Sequence, residues 1–576
     1  MNRTYIALAA VAFLSGCQAL SSTSTDGTPP VEDVSVIAKK TEPEQYASFS
    51  RETLLALLTA ELAGQRDRFD IALGNYVQQA NATQDAGVAE RGFRIAEYLG
   101  ADQAALDTAL IWAKNAPDDL DAQRSAAIQL ARAGRHDEAM TYMEKVLQGH
   151  GNTHFDFLAL SAAETDEQTR AGLLQSFDRL LAKYPDNTQL AFGKALLLQE
   201  DGQSEEALQL LEDSPNIDSE VIPLLLHVRL LQSLKRGDEA MPLLKQGIKL
   251  YPEDKRLRLT YARMLVEQGR IEDAQSEFSA LVQQYPEDDD LRFSLALVYL
   301  EGEAWKEAIV YLEELVERGS HVDAAHYNLA RAYEHLDEPE SALTEYAQVG
   351  PGNEYLPAQA AQTELLFAEK RGTEATQLLA KARDEQPDYA TQLYLIESEA
   401  LSSNQQPELA WQVIQQAVKD NPDDLNLLYA RAMMAESRDD LGQLESDLRQ
   451  ILERDPENSM ALNALGYTLA DRTTRYSEAR KLIEQAYRLN PEDPAILDSM
   501  GWISYRQNRL DEAEKYLRKA LQKFPDHEVA AHLGEVLWAQ GKQRDARKVW
   551  AEALENHPDS EPLRSTILRL TGAENL

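Results

Sequence analysis

The sequence predicts an all-α fold in which about 14 to 15 helical hairpins stack one after another as an α-solenoid. Three observations predict it. A turn of the form X-Pro-Asp or X-Pro-Glu recurs between Pro185 and Pro558, and 373 residues divided by 11 intervals give 33.9 residues per repeat. A small residue follows the better-formed turns after 21 to 23 residues. Hydrophobic residues make up 43% of the chain, which is enough to build a core over most of its length.

The N-terminal segment predicts export and a lipid anchor. One positive charge precedes a short apolar run, Ile6–Leu14, which indicates a secretory signal peptide over residues 1–16. The small residues before Cys17 resemble the bacterial lipobox, and this implies cleavage before Cys17 and acylation of that residue. Cys17 is the only cysteine of the chain, so no disulfide can form within it. By resemblance to Gram-negative sorting signals, Gln18 implies transfer to the outer membrane, facing the periplasm.

The remaining chain divides by composition. Residues 17–45 are rich in Ser, Thr and Pro, and they predict a flexible tether between the acylated cysteine and the folded body. Repeats fill residues 46–560, and a capping helix and tail follow over 561–576. This division leaves no stretch for a separate catalytic domain.

The predicted hairpin follows from the residues at its turn. Gly269, Gly302 or Asn508 lets a first helix end in the left-handed conformation, which costs these residue types little. The small residue that follows, Ala274 or Ala513, lets the second helix pack closely against the first. Each unit of about 34 residues is therefore expected to be two antiparallel helices.

Two C-terminal units carry the fullest pattern. In the unit beginning near Pro494, small residues and a proline stand at Gly501, Ala513, Ala520 and Pro525. With the period, this pattern resembles the tetratricopeptide-repeat family. The resemblance implies a right-handed superhelix in which the first helix of each unit lines the concave face.

Charge and missing motifs exclude several functions. The chain holds 57 Lys and Arg against 97 Asp and Glu, a net charge of −40, which opposes binding to nucleic acid and favours partners with basic patches. The sequence contains no His-Glu-x-x-His, Gly-x-Ser-x-Gly or dinucleotide-binding signature. We therefore predict a protein that is not an enzyme, with no catalytic residue, no metal site and no cofactor.

The family resemblance also selects a candidate protein-binding groove. Trp and Tyr with interspersed polar groups are typical of peptide-binding grooves, although such rings can equally pack between hairpins. If Trp502 and Tyr505 line the groove, replacing both by alanine should weaken partner binding and leave the thermal midpoint nearly unchanged. The predicted groove residues are Tyr327, Asn328, Arg331, Tyr429, Met433, Asn463, Tyr467, Asp498, Trp502, Tyr505, Arg506, His532, Glu535 and Trp538.

The segments 463–472, 497–502 and 530–538, with the lipobox and tether, resemble Gram-negative lipoproteins that act as outer-membrane adaptors of a periplasmic carboxyl-terminal processing protease. The resemblance implies a scaffold that binds and activates this serine protease and presents cell-wall endopeptidases to it for proteolysis. The alternative is an activator of a peptidoglycan synthase or an assembly factor for an outer-membrane secretin.

Overall fold

The computed structural model describes residues 48–151 and 153–573. The predicted signal peptide, the predicted acylation site Cys17 and the predicted tether lie outside the described residues. The described residues form 31 α-helices and no strand, which confirms the all-α repeat fold. None of these helices is long and apolar enough to span a bilayer.

The chain divides into two compact units, one ending at Gly202 and one beginning at Gln203. The helices of the first unit are α1 Arg51–Gly64, α2 Phe69–Thr83, α3 Ala86–Tyr98, α4 Asp102–Asn115, α5 Leu120–Arg132, α6 His136–Gln148, α7 Phe155–Ala163, α8 Glu167–Lys183 and α9 Thr188–Glu200. The helices of the second unit are α10 Ser204–Glu212, α11 Val221–Ser233, α12 Gly237–Leu250, α13 Lys255–Glu267, α14 Ile271–Gln284, α15 Asp289–Glu301, α16 Trp305–Arg318, α17 Val322–His335, α18 Pro339–Tyr346, α19 Tyr355–Ala368, α20 Gly372–Glu385, α21 Ala390–Ser403, α22 Pro407–Asp420, α23 Leu425–Ser437, α24 Leu441–Arg454, α25 Ser459–Arg472, α26 Tyr476–Leu489, α27 Pro494–Arg506, α28 Leu510–Lys523, α29 His527–Ala539, α30 Gln543–Asn556 and α31 Glu561–Thr571. Two 3₁₀ turns, Ile217–Ser219 and Pro387–Tyr389, lie between helices of the second unit.

The recurring proline turn ends one hairpin and starts the next. Proline disfavours helical backbone at the preceding residue, and α26 accordingly ends at Leu489, just before Asn490-Pro491. Two residues after the proline, the Asp493 carboxylate accepts hydrogen bonds from the backbone N–H of Ala495 and Ile496, at 2.9 and 3.1 Å. These bonds cap the N-terminus of α27. A single four-residue turn therefore stops one helix and begins the next.

Most turns inside the hairpins contain a left-handed residue, as expected at Gly269 (φ 70°) and Asn508 (φ 60°), but the described turns after α7 and α25 contain none. The sequence expectation is wrong at Gly302, whose φ is −85°. There the next residue, Glu303, adopts the left-handed conformation with φ 56°. Gly302 instead allows close packing, because a Cβ atom at this position would lie 2.9 Å from Ile271 Cγ2 as well as 2.6 Å from Gln275 Nε2.

Small residues set the distance between the two helices of a hairpin. A Cβ atom added to Gly501 would lie 2.5 Å from Leu517 Cγ, and one added to Gly534 would lie 1.9 Å from Trp550 Nε1. Two hairpins have leucine where alanine is expected, and both side chains, Leu173 and Leu444, are fully buried. The repeat therefore accepts a larger residue where the facing helix provides the space.

The last helix packs on the last hairpin. Leu563 and Ile567 of α31 are fully buried and belong to one cluster with Trp550 of α30. This cluster gives the hairpin α29–α30 an apolar neighbour on its C-terminal side.

Candidate partner-binding surfaces

The predicted groove residues of the middle repeat lie on α17, and only two of them reach the surface. Asn328 is buried, and its amide donates to the backbone carbonyl of Ala324 at 2.8 Å. Tyr327 and Arg331 are half-buried, with the guanidinium 6.0 Å from the Tyr327 ring centroid. Asn328 therefore supports its own helix, whereas Tyr327 and Arg331 stay accessible to a ligand.

The next candidates lie on α23 and α25. Tyr429 and Met433 are half-buried against a hydrophobic cluster that includes Trp502. Burial raises the pKa of Tyr429, so its hydroxyl remains a hydrogen-bond donor at neutral pH. Asn463 Oδ1 is buried and accepts no hydrogen bond within the described part of the chain. These three side chains combine apolar area with polar atoms.

The Trp502 ring of α27 is largely enclosed by the protein itself. It is 6% exposed and stacks on His532 with ring centroids 4.1 Å apart. Its indole Nε1 donates to Asp471 Oδ1 at 3.1 Å. Arg506 donates to the backbone carbonyl of Asp471 at 2.9 Å and to the Tyr476 hydroxyl at 3.1 Å. The expectation that Trp502 can be removed without loss of stability is therefore not supported by its packing.

His532 joins three first helices through a chain of hydrogen bonds. Its Nδ1 lies 2.9 Å from the buried Asp498 carboxylate of α27. Its Nε2 lies 3.4 Å from the hydroxyl of Tyr467 on α25, which donates to Glu528 Oε1 at 3.1 Å. Burial lowers the pKa of His532, but the carboxylates of Asp498, Glu528 and Glu535 together outweigh burial, and the pKa is raised overall. The imidazolium can donate at both nitrogens and completes this chain.

Glu535 of α29 is also paired within the protein. Arg569 of α31 donates to both carboxylate oxygens, at 3.1 and 2.5 Å, and the Tyr505 hydroxyl donates at 3.0 Å. Trp538 is half-buried, and its ring centroid lies 5.8 Å from that of Trp550 and 5.5 Å from the Arg547 guanidinium. The structure therefore brings most of the C-terminal candidates into one network that its own side chains fill.

Sequence reasoning found Asp498 and Glu535 but missed three further carboxylates of this region, Glu436, Asp471 and Glu528. Burial raises the pKa of Glu436, the Arg472 guanidinium lowers it, and the carboxylates of Glu528 and Asp471 raise it further. The signal was present in the sequence, because Glu436 and Asp471 stand three and four residues after the predicted Met433 and Tyr467. One helical turn places such pairs on one face. We call Glu436, Asp471 and Glu528 the acidic lining.

A second surface was not anticipated from the sequence. Leu54, Leu55, Leu58 and Leu62 of α1 are all exposed, and we call Leu55, Leu58 and Leu62 the leucine face. Helical spacing places these three on one stripe of the helix. The opposite stripe, which includes the fully buried Ala60, packs on the following helices. Contiguous exposed leucines of this kind mark interaction sites.

Models of the tetratricopeptide repeat match residues 231–298, 295–353, 445–494, 468–528 and 504–568. A TPR repeat-containing protein of Pseudomonas aeruginosa is 67% identical over 574 residues, which cover 100% of this chain and 97% of that protein. The chain belongs to the tetratricopeptide-repeat family. As a member of this family, it is suited to protein–protein interaction.

Two further similarities cover different shares of the chain. Bacteriophage adsorption protein A of Escherichia coli is 32% identical over 113 residues, which are 20% of this chain and 11% of that protein. The crystal structure of yeast Tom70 covers 91% of this chain and 95% of that chain at 14% identity, with a TM-score of 0.31. Within the described residues, no group of three or more His, Cys, Asp or Glu side chains is arranged to hold a metal ion.

Proposed function

We propose that this protein is an outer-membrane-anchored periplasmic adaptor. In this role it binds and activates a carboxyl-terminal processing serine protease and presents cell-wall endopeptidases to it for proteolysis. The exposed leucine face of α1 is the observation that carries the proposal, because contiguous leucines exposed to water are unfavourable unless a partner covers them. The lipid anchor at Cys17 would keep the assembly at the membrane.

The two surfaces differ in the contacts that they can make. Long-lived protein interfaces are the more hydrophobic ones, and this favours the leucine face as the contact for the protease. The acidic lining and the half-buried Tyr429, Met433 and Tyr467 favour shorter-lived contacts with basic segments of substrates. We therefore assign the protease to α1 and the substrate to the first helices between α23 and α29.

The adaptor accelerates proteolysis without chemistry of its own. Holding two proteins on one chain converts their encounter into a local event with an effective concentration that can reach the millimolar range. Protease and substrate meet more often as a result, and the chain need not supply a catalytic group.

The test is degradation of a purified cell-wall endopeptidase by the protease, with and without the lipid-free chain 45–576. We expect the chain to accelerate cleavage and to remain intact. Leu55→Ser with Leu58→Ser should abolish the acceleration, because serine removes the apolar contact. Val310→Ser with Leu409→Ser is the matched control, since both residues are exposed apolar side chains on other helices. An unchanged cleavage rate with the wild-type chain would refute the adaptor role.

A further inference from the structure

The leucine face occupies positions that later repeats bury. Leu55 precedes Ala72 by 17 residues, as Ile496 precedes Ala513, and both alanines are the buried small residue of the second helix. Ile496 is nevertheless only 3% exposed, whereas Leu55 is 68% exposed. The two residues thus share a position in the repeat and differ in what lies against them.

The same comparison holds for the other two leucines. In the repeat that begins with α29, the three equivalent residues are Val529, His532 and Val536, and all of them are buried. The residue equivalent to Leu55 is buried in fourteen of the fifteen later first helices, α31 included; the exception is Asp156 of α7. The residues equivalent to Leu55 are, from α3 to α31, Val88, Ala122, Asp156, Leu190, Pro223, Leu257, Leu291, Ala325, Ala358, Leu393, Leu427, Ala461, Ile496, Val529 and Leu563.

The structure shows what covers this position in the repeats. Leu393, the equivalent of Leu55 in α21, forms one cluster with Leu379 and Ala382 of the preceding helix α20. In the same way, Val529 shares a cluster with Leu517 and Ala520 of the preceding helix α28. The natural occupant of this face is thus the second helix of the preceding hairpin. Among the described residues, α1 has no such helix before it.

We propose that the leucine face receives an amphipathic α-helix of the partner protein, which stacks on α1 as a second helix stacks on the next repeat. The inference deepens the proposed function, since the partner is the protease assigned to this face. The expected helix presents small or branched apolar residues at positions i, i+4 and i+7, as α28 does with Ala513, Leu517 and Ala520. Its flanks are neutral or basic, because the chain as a whole carries a net charge of −40.

A second copy of this chain fits the face less well. Helix α1 is 14 residues long, about 21 Å at 1.5 Å per residue, so two copies of α1 bury far less than the roughly 800 Å² per partner of a stable interface. Any contact that extended beyond α1 would set a net charge of −40 against another of −40. Charge repulsion and small area together favour a different protein as the occupant.

The experiment supplies the missing helix within the chain. Residues 510–526, which contain α28 and its following turn, are inserted in place of residues 48–52 of the full mature chain. Asp526 then stands as far before Leu55 as it natively stands before Val529, so it keeps its role as an N-cap. The control carries the same insertion with Leu517→Glu in the inserted copy, which cannot be buried on the leucine face. Protease affinity, thermal midpoint and sedimentation velocity are measured for all three chains.

We expect the inserted helix to raise the thermal midpoint and to weaken protease binding by about tenfold or more, while the control binds as the wild-type chain does. If the chain with the inserted helix binds the protease as tightly as the wild-type chain does, the inference is overturned. If the wild-type chain does not bind the protease at all, the proposed function fails. In that case a midpoint that rises over the control means that the face accepts a helix and that only the choice of the protease as partner is wrong, whereas no rise overturns the inference itself. A wild-type dimer that becomes monomeric on capping would assign the face to a second copy and overturn the inference.

Discussion

Replacing Trp502 by alanine tests whether the C-terminal aromatic cluster is core or contact surface. The ring is 6% exposed, and a tryptophan side chain buries about 150–250 Å². At about 25 cal/mol per Å², this area corresponds to roughly 4–6 kcal/mol, and measured Trp→Ala changes in protein cores cost about 3–5 kcal/mol. The substitution also leaves the Asp471 carboxylate without its indole donor. We expect the free energy of unfolding around α27 to fall by about 3–5 kcal/mol.

The assay must be local, because repeat arrays do not always unfold as one cooperative unit. Hydrogen exchange of the α27 amides in the wild-type and variant chains reports the local opening free energy. Trp411→Ala is the matched control, since that ring is half-buried and lies 5.1 Å from the Arg438 guanidinium. Trp411→Ala should lower the local opening free energy clearly less than Trp502→Ala does. Unchanged protection of α27 together with weaker partner binding would refute the assignment of Trp502 to the core.

Three further predictions concern pH, packing and salt. Because the pKa of His532 is raised in the folded state, its protonation stabilises the fold fully below about pH 6.5, and this stabilisation should be lost as pH rises through the folded-state pKa. The free energies of unfolding of wild type and His532→Gln, measured with denaturant, should therefore converge at high pH. Gly534→Ala should destabilise the fold by about 1–3 kcal/mol, because the added Cβ atom would clash with Trp550. A Cβ atom added to Gly74 in α2 has no neighbour within 4 Å, so Gly74→Ala should stabilise the fold by about 0.5–1 kcal/mol; thermal unfolding measures both. Stopped-flow association with a basic endopeptidase should slow as ionic strength rises, because the net charge of −40 is then screened.

Each of these predictions has a distinct contradicting result. A stability difference between wild type and His532→Gln that persists at high pH would mean that the imidazolium pair with Asp498 is not its source. Equal effects of Gly534→Ala and Gly74→Ala would show that helix propensity alone governs both positions. Association rates that ignore salt would remove the electrostatic argument for basic substrates.

The repeat architecture could be predicted because its signals are local. A proline ends the helix before it, and an acidic or polar residue close behind caps the next helix, as Asp493 does for α27. Neither step needs knowledge of tertiary contacts. The prediction was wrong at Gly302, where a packing requirement and a turn requirement both favour glycine and only the structure separates them.

The sequence predicted which side of the first helices the groove candidates lie on, but not the contacts between them. Projection onto the first helices placed Tyr467 and His532 correctly on one side, but it could not show that they approach each other across 65 residues. That contact depends on how three successive hairpins stack, which no local pattern encodes. Asp498 and Glu535 illustrate the consequence, since both carboxylates are neutralised by partners, His532 and Arg569, that lie about 34 residues further along the chain.

The leucine face was hidden for a different reason. In sequence, Leu55, Leu58 and Leu62 look like any other buried stripe of a first helix, and within the array they would be one. Among the described residues no helix precedes α1, and its stacking surface is exposed. An array end of this kind can bind a helix without any specialised sequence, because the repeat has already shaped the complementary surface.

The separation of the two surfaces matters for how an adaptor would work. A contact that releases each substrate after cleavage must be weak or quickly reversible, and acidic residues with half-buried rings provide that. A contact that keeps the protease through many cycles needs a slow dissociation rate, which buried leucines provide. If both partners shared one surface, faster release of product would also release the protease. Placing the leucine face on α1 and the acidic lining on α23–α29 lets the two dissociation rates differ, and variants at Leu55 should change protease residence without changing substrate affinity.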